Sequence, residues 1–231
     1  MYFHHHKAYY IFIPTQSFSH TKFYLSLYTW SSDTTKKNGP SDLKVESRGG
    51  VAIVLSPTSC EAWRAAGSKP PITTPMNSPF VGRFIGVKLK FPRIDPYKNK
   101  VQGKTTFLVA SIYHPVDELK HTEFIDILST IMSSVPKNAN FIGGNDVNAN
   151  LGIRSKMYGK TLGPWGINNR NMQGRRLLGF FSNNQLKIAN SFYKKASYVT
   201  WRSFNKTRSP HMLDVISVSK NFYKCVRNCG I

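Results

Sequence analysis

Acidic residues are scarce enough in this sequence to be weighed one at a time. Eleven Asp and Glu stand against 32 Lys and Arg in 231 residues. After Asp126 only two acids remain, Asp146 and Asp214, among sixteen Lys and Arg. Acids that served solubility would be scattered, whereas these two stand alone in a basic field. Asp146 belongs to the run Gly143-Gly144-Asn145-Asp146-Val147-Asn148-Ala149-Asn150, directly after the apolar pair Phe141-Ile142. Strand ends and the loops after them are where catalytic groups are commonly mounted. Alternation along the chain puts Asp146 and Asn148 on one side. A carboxylate beside a carboxamide suits hydrolysis of a phosphate ester. The first takes a proton from water and the second donates to a phosphoryl oxygen. The same residue types also make plain turns, because both bond their own backbone well. Spacing alone leaves the two readings open.

The formal charge of +21 argues against an ordinary enzyme of neutral surface and for a polyanionic partner, nucleic acid or an anionic membrane. Arg170, Arg175, Arg176, Arg202, Lys206 and Arg208 would suit phosphate contacts, or form a solvated face. Three cysteines, Cys60, Cys225 and Cys229, are too few for a disulfide framework. They favour a reducing compartment, nuclear or cytoplasmic, over secretion. Cys225 and Cys229 lack a second pair with which to bind zinc and read as free thiols. The run His4-His5-His6 has no converging partner. Gly163-Pro164-Trp165-Gly166 is either an exposed stacking loop or a tight turn carrying a core-capping Trp. No apolar run reaches the roughly 18 residues of a membrane span, and no signal-peptide pattern is evident.

The elements that must position these residues are legible from Gly49 onward, and a single domain over 49–231 is the expectation. Residues 1–48 are a poorly matched segment ending in a polar loop, 31–48. Val51–Leu55, closed by Ser56-Pro57, reads as a buried strand. Prolines 70, 71, 75 and 79 exclude a helix there. Phe84–Phe91 alternates apolar and basic, with Lys88 and Lys90 on the wet face. Thr105–Tyr113 is a second buried strand. Phe124, Ile127, Leu128 and Ile131 share one helix face over 119–132. A strand at 140–142 leads to Asp146, and Leu177, Leu178 and Phe181 mark a helix over 174–184. Segments 198–204 and 212–218 read as strands. Strands with interspersed helices and no repeated βαβ unit imply an α+β fold with stacked sheets.

Several of these segments together resemble the endonuclease/exonuclease/phosphatase superfamily. Asn145-Asp146-Val147-Asn148-Ala149 is similar to its Gly-Asp-Phe-Asn-Ala motif, and Arg48-Gly49-Gly50-Val51-Ala52-Ile53 to its Gly-Gly-Val strand. Ser111-Ile112-Tyr113-His114-Pro115 matches its Tyr-x-Pro strand end, and Met212-Leu213-Asp214-Val215-Ile216 its Ile-Asp-Tyr-Ile strand. Asn171–Phe181, Leu186–Phe192 and Tyr198-Val199-Thr200-Trp201-Arg202-Ser203 resemble the Asn-x-x-Gly, Asn-Ser-Phe and Thr-Trp run of non-LTR retrotransposon endonuclease domains. The resemblance implies a four-layer α/β sandwich, two mixed sheets flanked by helices, with the site at one rim. It implies Mg²⁺-assisted hydrolysis of a DNA phosphodiester that leaves a 3′-hydroxyl. Asp146 would activate the water and contribute to the metal, and Asn148 and Tyr113 would bond the phosphate. Asp214 would orient a histidine, while Thr200, Arg202, Arg175 and Arg176 would lie along the DNA. A reverse transcriptase would accompany the domain in its parent element, and the domain itself would be monomeric.

Two departures bear on activity. The family closes with a Ser-Asp-His motif that has no match before Ile231, and His211 is a poor substitute for its histidine. The metal-binding Glu of the family's Gln-Glu pair has no counterpart either: the nearest residues are Gln16-Ser17, and Glu46 does not fit the motif. The chain therefore reads as a truncated or degenerate copy, with Mg²⁺ weakly held and activity weak or absent. A basic nucleic-acid-binding remnant without catalysis is the alternative of another class. An abasic-site repair nuclease or a lipid or inositol phosphatase of the same superfamily is the third.

Overall fold

The computed structural model describes residues 6–12, 23–28, 50–94, 101–202 and 209–230. His4, His5, Gln16, Ser17, Glu46, Arg48, Gly49, Lys206 and Arg208 lie outside them, as does loop 31–48. Two strands fall in the segment least legible from sequence, β1 (His6–Phe12) and β2 (Phe23–Tyr28), paired antiparallel with His6 opposite Tyr28. Their signal was the density of aromatic residues in Tyr9-Tyr10-Ile11-Phe12 and Phe23-Tyr24-Leu25, which favours strands.

Ser56-Pro57 starts an element instead of closing one. Helix α1 (Pro57–Ala65) is capped by the Ser56 hydroxyl, which accepts from Ser59 N at 3.3 Å. Proline at the first helical position gives up an N–H that has no intrahelical partner anyway. The run before it is not a buried strand. Gly50 and Ile53 each make one bridge, and Val54 is exposed. Ile53 and Leu55 find apolar contact by packing against Ala62, Val87 and Leu89, so no ladder is needed to cover them.

The rest of the chain builds β3 (Ile72–Thr73), β4 (Phe84–Ile94), β5 (Val101–Tyr113), α2 (Glu118–Ser133), β6 (Asn140–Asp146), α3 (Met172–Asn183) and β7 (Leu186–Ile188). A 3₁₀ turn, Ala189–Phe192, precedes β8 (Asp214–Ser219), α4 (Lys220–Tyr223) and β9 (Asn228–Gly230). Strands β3-β4-β5-β6-β8-β7 form a six-stranded sheet and β2-β1-β9 a three-stranded one. The larger sheet is mixed: β5 and β6 run parallel, while β4–β5, β6–β8 and β7–β8 are antiparallel. The class is α+β, and mixed pairing among the described residues is confined to this sheet. Segment 198–204 forms no strand in its described part; Trp201 makes a lone bridge to His211.

Alternation sorts the sheet's two faces. One face, with Leu108, Ala110, Ile112, Phe141 and Val215, packs under α2 and α3 through Phe124, Leu128, Leu177 and Phe181. Ile142, Ile216 and Val218 point the other way, against Phe222, Val226 and Cys229, while Val87, Leu89 and Val109 meet α1. Strand β6 carries a glycine at 143 for a steric reason. A side chain at Gly143 would come within 2.7 Å of the Phe141 ring and 2.9 Å of the Ser217 hydroxyl.

Candidate active site

The register of three neighbouring strands brings distant residues into one row. Tyr113, the last residue of β5, is the parallel partner of Asp146, the last of β6. Asp146 stands directly opposite Asp214, the first residue of β8. Directly paired residues share a sheet face, and strands lie about 4.8 Å apart, so the row spans roughly 10 Å at one end of the sheet. It continues the face that carries Val109, Ile142 and Ile216. Asp214 is buried, while Tyr113, Asp146 and Asn148 are half-buried.

The loop after β6 is held by its neighbours. Asn148 takes a left-handed backbone, φ 42°, tolerated by Asn better than by most residues. Its backbone N–H donates to Asp146 Oδ1 at 3.3 Å, and its Nδ2 to the carbonyl of His114 at 2.8 Å. The His114 N–H donates to the Asp146 carbonyl at 2.9 Å, and Val147 N to Leu213 O at 2.7 Å. Behind the loop lie two buried imidazoles, His114 and His121, with ring centroids 5.2 Å apart. His121 Nε2 lies 3.1 Å from the Val147 carbonyl; a carbonyl only accepts, so Nε2 carries the proton. Burial holds His121 below the ordinary imidazole pKa, with the Val147 bond opposing. Burial likewise pushes His114 well down, helped by His121 and Arg83. Both are neutral at pH 7.

Sequence reasoning missed Arg83. Its guanidinium lies 4.7 Å from the Tyr113 ring centroid, Tyr113 N donates to the Arg83 carbonyl at 2.9 Å, and Arg83 Nη1 reaches Tyr113 O at 3.4 Å. The pairing of Phe84 with Ile112 sets it beside Tyr113, so the β4–β5 register was the signal. His121 had none, being one apolar-face position of a helix.

The remaining candidates are dispersed. Thr200 Oγ1 accepts from the backbone N–H of Leu213 at 2.9 Å and Asp214 at 3.0 Å, so it anchors the start of β8. Arg176 is engaged with Glu118 at 3.0 Å and Thr122 at 2.9 Å. With the exposed Arg175 it belongs to α3, on the opposite face of the sheet from the row. Arg202 is exposed beside the Trp201 bridge. Arg170 clamps its own loop through the carbonyls of Leu151 and Ile153. His211 Nδ1 lies 2.8 Å from Asn150 Oδ1 and its ring packs on Trp201, so it is occupied away from Asp214. Cys60, Cys225 and Cys229 are free, and burial pushes the Cys229 thiol up to about 12.

A divalent cation needs several hard oxygens. The row offers Asp146 and Asp214, and among the described residues no group of three His, Cys, Asp or Glu converges to hold a metal. That donor set does not make a resident Mg²⁺ site. No described helix is long and apolar enough to cross a membrane.

No protein-family model matches the chain, and no curated protein does. Among solved structures the chain is similar to the endonuclease domain of TRAS1, a telomere-specific non-LTR retrotransposon. The identity is 15%, the TM-score 0.45, and the match covers 86% of this chain and 69% of that one.

Proposed function

We propose that this chain is a DNA phosphodiesterase domain of the retroelement endonuclease type, with little activity of its own. One observation carries the reading: Tyr113, Asp146 and Asp214 stand side by side across three adjacent strand ends, with Asn148 in the loop that follows. The motifs that carry the resemblance are the ones that contribute this row.

The chemistry follows from the groups. Asp146 takes a proton from water, whose oxygen attacks phosphorus as the P–O3′ bond breaks, leaving a 3′-hydroxyl and a 5′-phosphate. The Asn148 amide is fixed by the His114 carbonyl through one N–H; its second N–H donates to a phosphoryl oxygen. The Tyr113 hydroxyl donates to the same phosphate, beside the Arg83 guanidinium, which favours the charge that builds up there. The departing O3′ must also gain a proton. Asp214 would orient an imidazole for that task; among the described residues no histidine accompanies it in the row, so solvent water supplies the proton and the step is slow. No step here passes through a metal, because the row lacks the ligands for one; the magnesium-dependent form of this reaction needs donors beyond Asp146 and Asp214.

Plasmid nicking tests the proposal. Slow relaxation of supercoiled DNA in millimolar Mg²⁺, abolished by Asp146→Ala, supports the phosphodiesterase reading. DNA binding with no Asp146-dependent nicking at any enzyme concentration establishes the other reading, a basic binding module on the same scaffold.

A further inference from the structure

The β7 edge, at the far end of the sheet from the carboxylate row, gathers cations with no acid beside them among the described residues. Lys187 pairs with Val218 on β8, on the face that carries Asp214 but about 13 Å further along the strand at ~3.3 Å per residue. Its ammonium lies 4.3 Å from the centroid of the Phe192 ring and 4.5 Å from that of Tyr223. Two other segments bring cations to it. Lys220 N donates to the Gln185 carbonyl at 2.8 Å, which sets Lys220, at the head of α4, beside β7. Ile188 N donates to Thr161 O and Arg154 N to Gly163 O, both at 2.9 Å, which docks the 153–163 loop along the same edge.

The charge balance of this edge is one-sided. Fifteen Lys and Arg follow Asp146, and the single acid among them is Asp214, which is buried at the other end of the strand. Burial lowers the Lys187 pKa, and Lys220 and Arg154 lower it further, with no acid among the described residues acting against them. Aromatic faces attract a cation but do not neutralise it. They also hold the lysine in place, so less side-chain entropy is lost when it meets an anion.

We infer that Arg154, Lys187 and Lys220 form a second phosphate site, for a nucleic-acid backbone running over the β7 edge. The inference rests on the reading of DNA as the partner, and it places backbone contacts well beyond the row that addresses the scissile phosphate.

The test is duplex DNA binding by fluorescence anisotropy over a salt series, with a 20-base-pair probe. Lys187→Gln should weaken binding several-fold on every sequence tried, and lower the log–log salt slope by about 0.9 for the lost phosphate contact. Arg154→Gln and Lys220→Gln, both at exposed positions, carry the same expectation should Lys187→Gln fold poorly. The exposed Lys69→Gln, on another part of the surface, should leave the slope unchanged. Wild-type binding whose slope none of the three edge variants changes would overturn the second site and leave the proposed function standing. A wild-type chain that binds no duplex would sink both. In a parallel arm, the Lys187 Cε resonance is followed by NMR against inorganic phosphate and against the duplex. A response to phosphate that the duplex cannot displace would overturn the nucleic-acid assignment in favour of a small-anion site.

Discussion

Asp146 and Asp214 were visible in the sequence because acids are so rare there; Arg83 and His121 were not, because their roles exist only after β4 meets β5 and α2 meets the loop. The two buried histidines make acid sensitivity a property of the site's foundation. Both bind protons more weakly in the fold than in the unfolded chain, whose imidazoles titrate near 6.5. Unfolding therefore takes up protons as the pH falls below about 6.5. Stability is complete above that value and is lost progressively below it, by at most about 1.4 kcal/mol per pH unit for each histidine. Among the described residues neither ring nitrogen of His114 has a hydrogen-bond partner, so His114→Leu should keep most of the stability at pH 7 and flatten this dependence. Urea midpoints at pH 7 and pH 5 decide it, and an unchanged pH slope would refute the role of His114. Thr200→Val removes the acceptor of two backbone N–H groups at the start of β8, at a cost of ~1–3 kcal/mol. Thr200→Ser should restore most of it, read from the same denaturation curves.

Elements with strong periodicity were legible, and those defined by their partners were not. The helices α2 and α3 were marked by apolar spacing and β4 by alternation. Val51–Leu55 carried every local mark of a strand, yet its apolar side chains are covered by α1 and β4 without a ladder. Helix α3 also shows why the site's loop is tied to a helix end. Asn171 Oδ1 accepts from Gly174 N at 2.8 Å, capping α3, and from Asn150 N at 3.1 Å. Gly174 is required here, because a Cβ on it would collide with the Asn150 carbonyl. Gly174→Ala should therefore cost more than Asn171→Ala, whose lost cap is worth ~1 kcal/mol. Thermal unfolding of the two variants orders them, and the reverse order would mean that the loop yields easily.

At the scale of the molecule, net charge and the make-up of the row set the expectations. Net charge +21 predicts duplex binding with little sequence preference and a log–log salt slope of about −0.9 per phosphate neutralised; a flat affinity from low to physiological salt would contradict it. Nicking by this chain should be slow even in millimolar Mg²⁺, since groups that act as a unit lose orders of magnitude when one is absent from the row. Robust Asp146-dependent nicking would show that a residue outside the row completes the site. The smaller sheet has a consequence for the order of assembly. Strand β1 pairs with β9, Phe12 with Asn228, so nearly the whole chain separates the partners. Such a closure forfeits the entropy of a very long loop before any contact repays it, whereas the β4–β5 hairpin forms from neighbours. During refolding, the β1 amides that face β9 should gain protection from hydrogen exchange later than those at Leu108 and Val109. Ribosomal synthesis imposes the same sequence of events, because β1 leaves the ribosome before β9 and must wait for it.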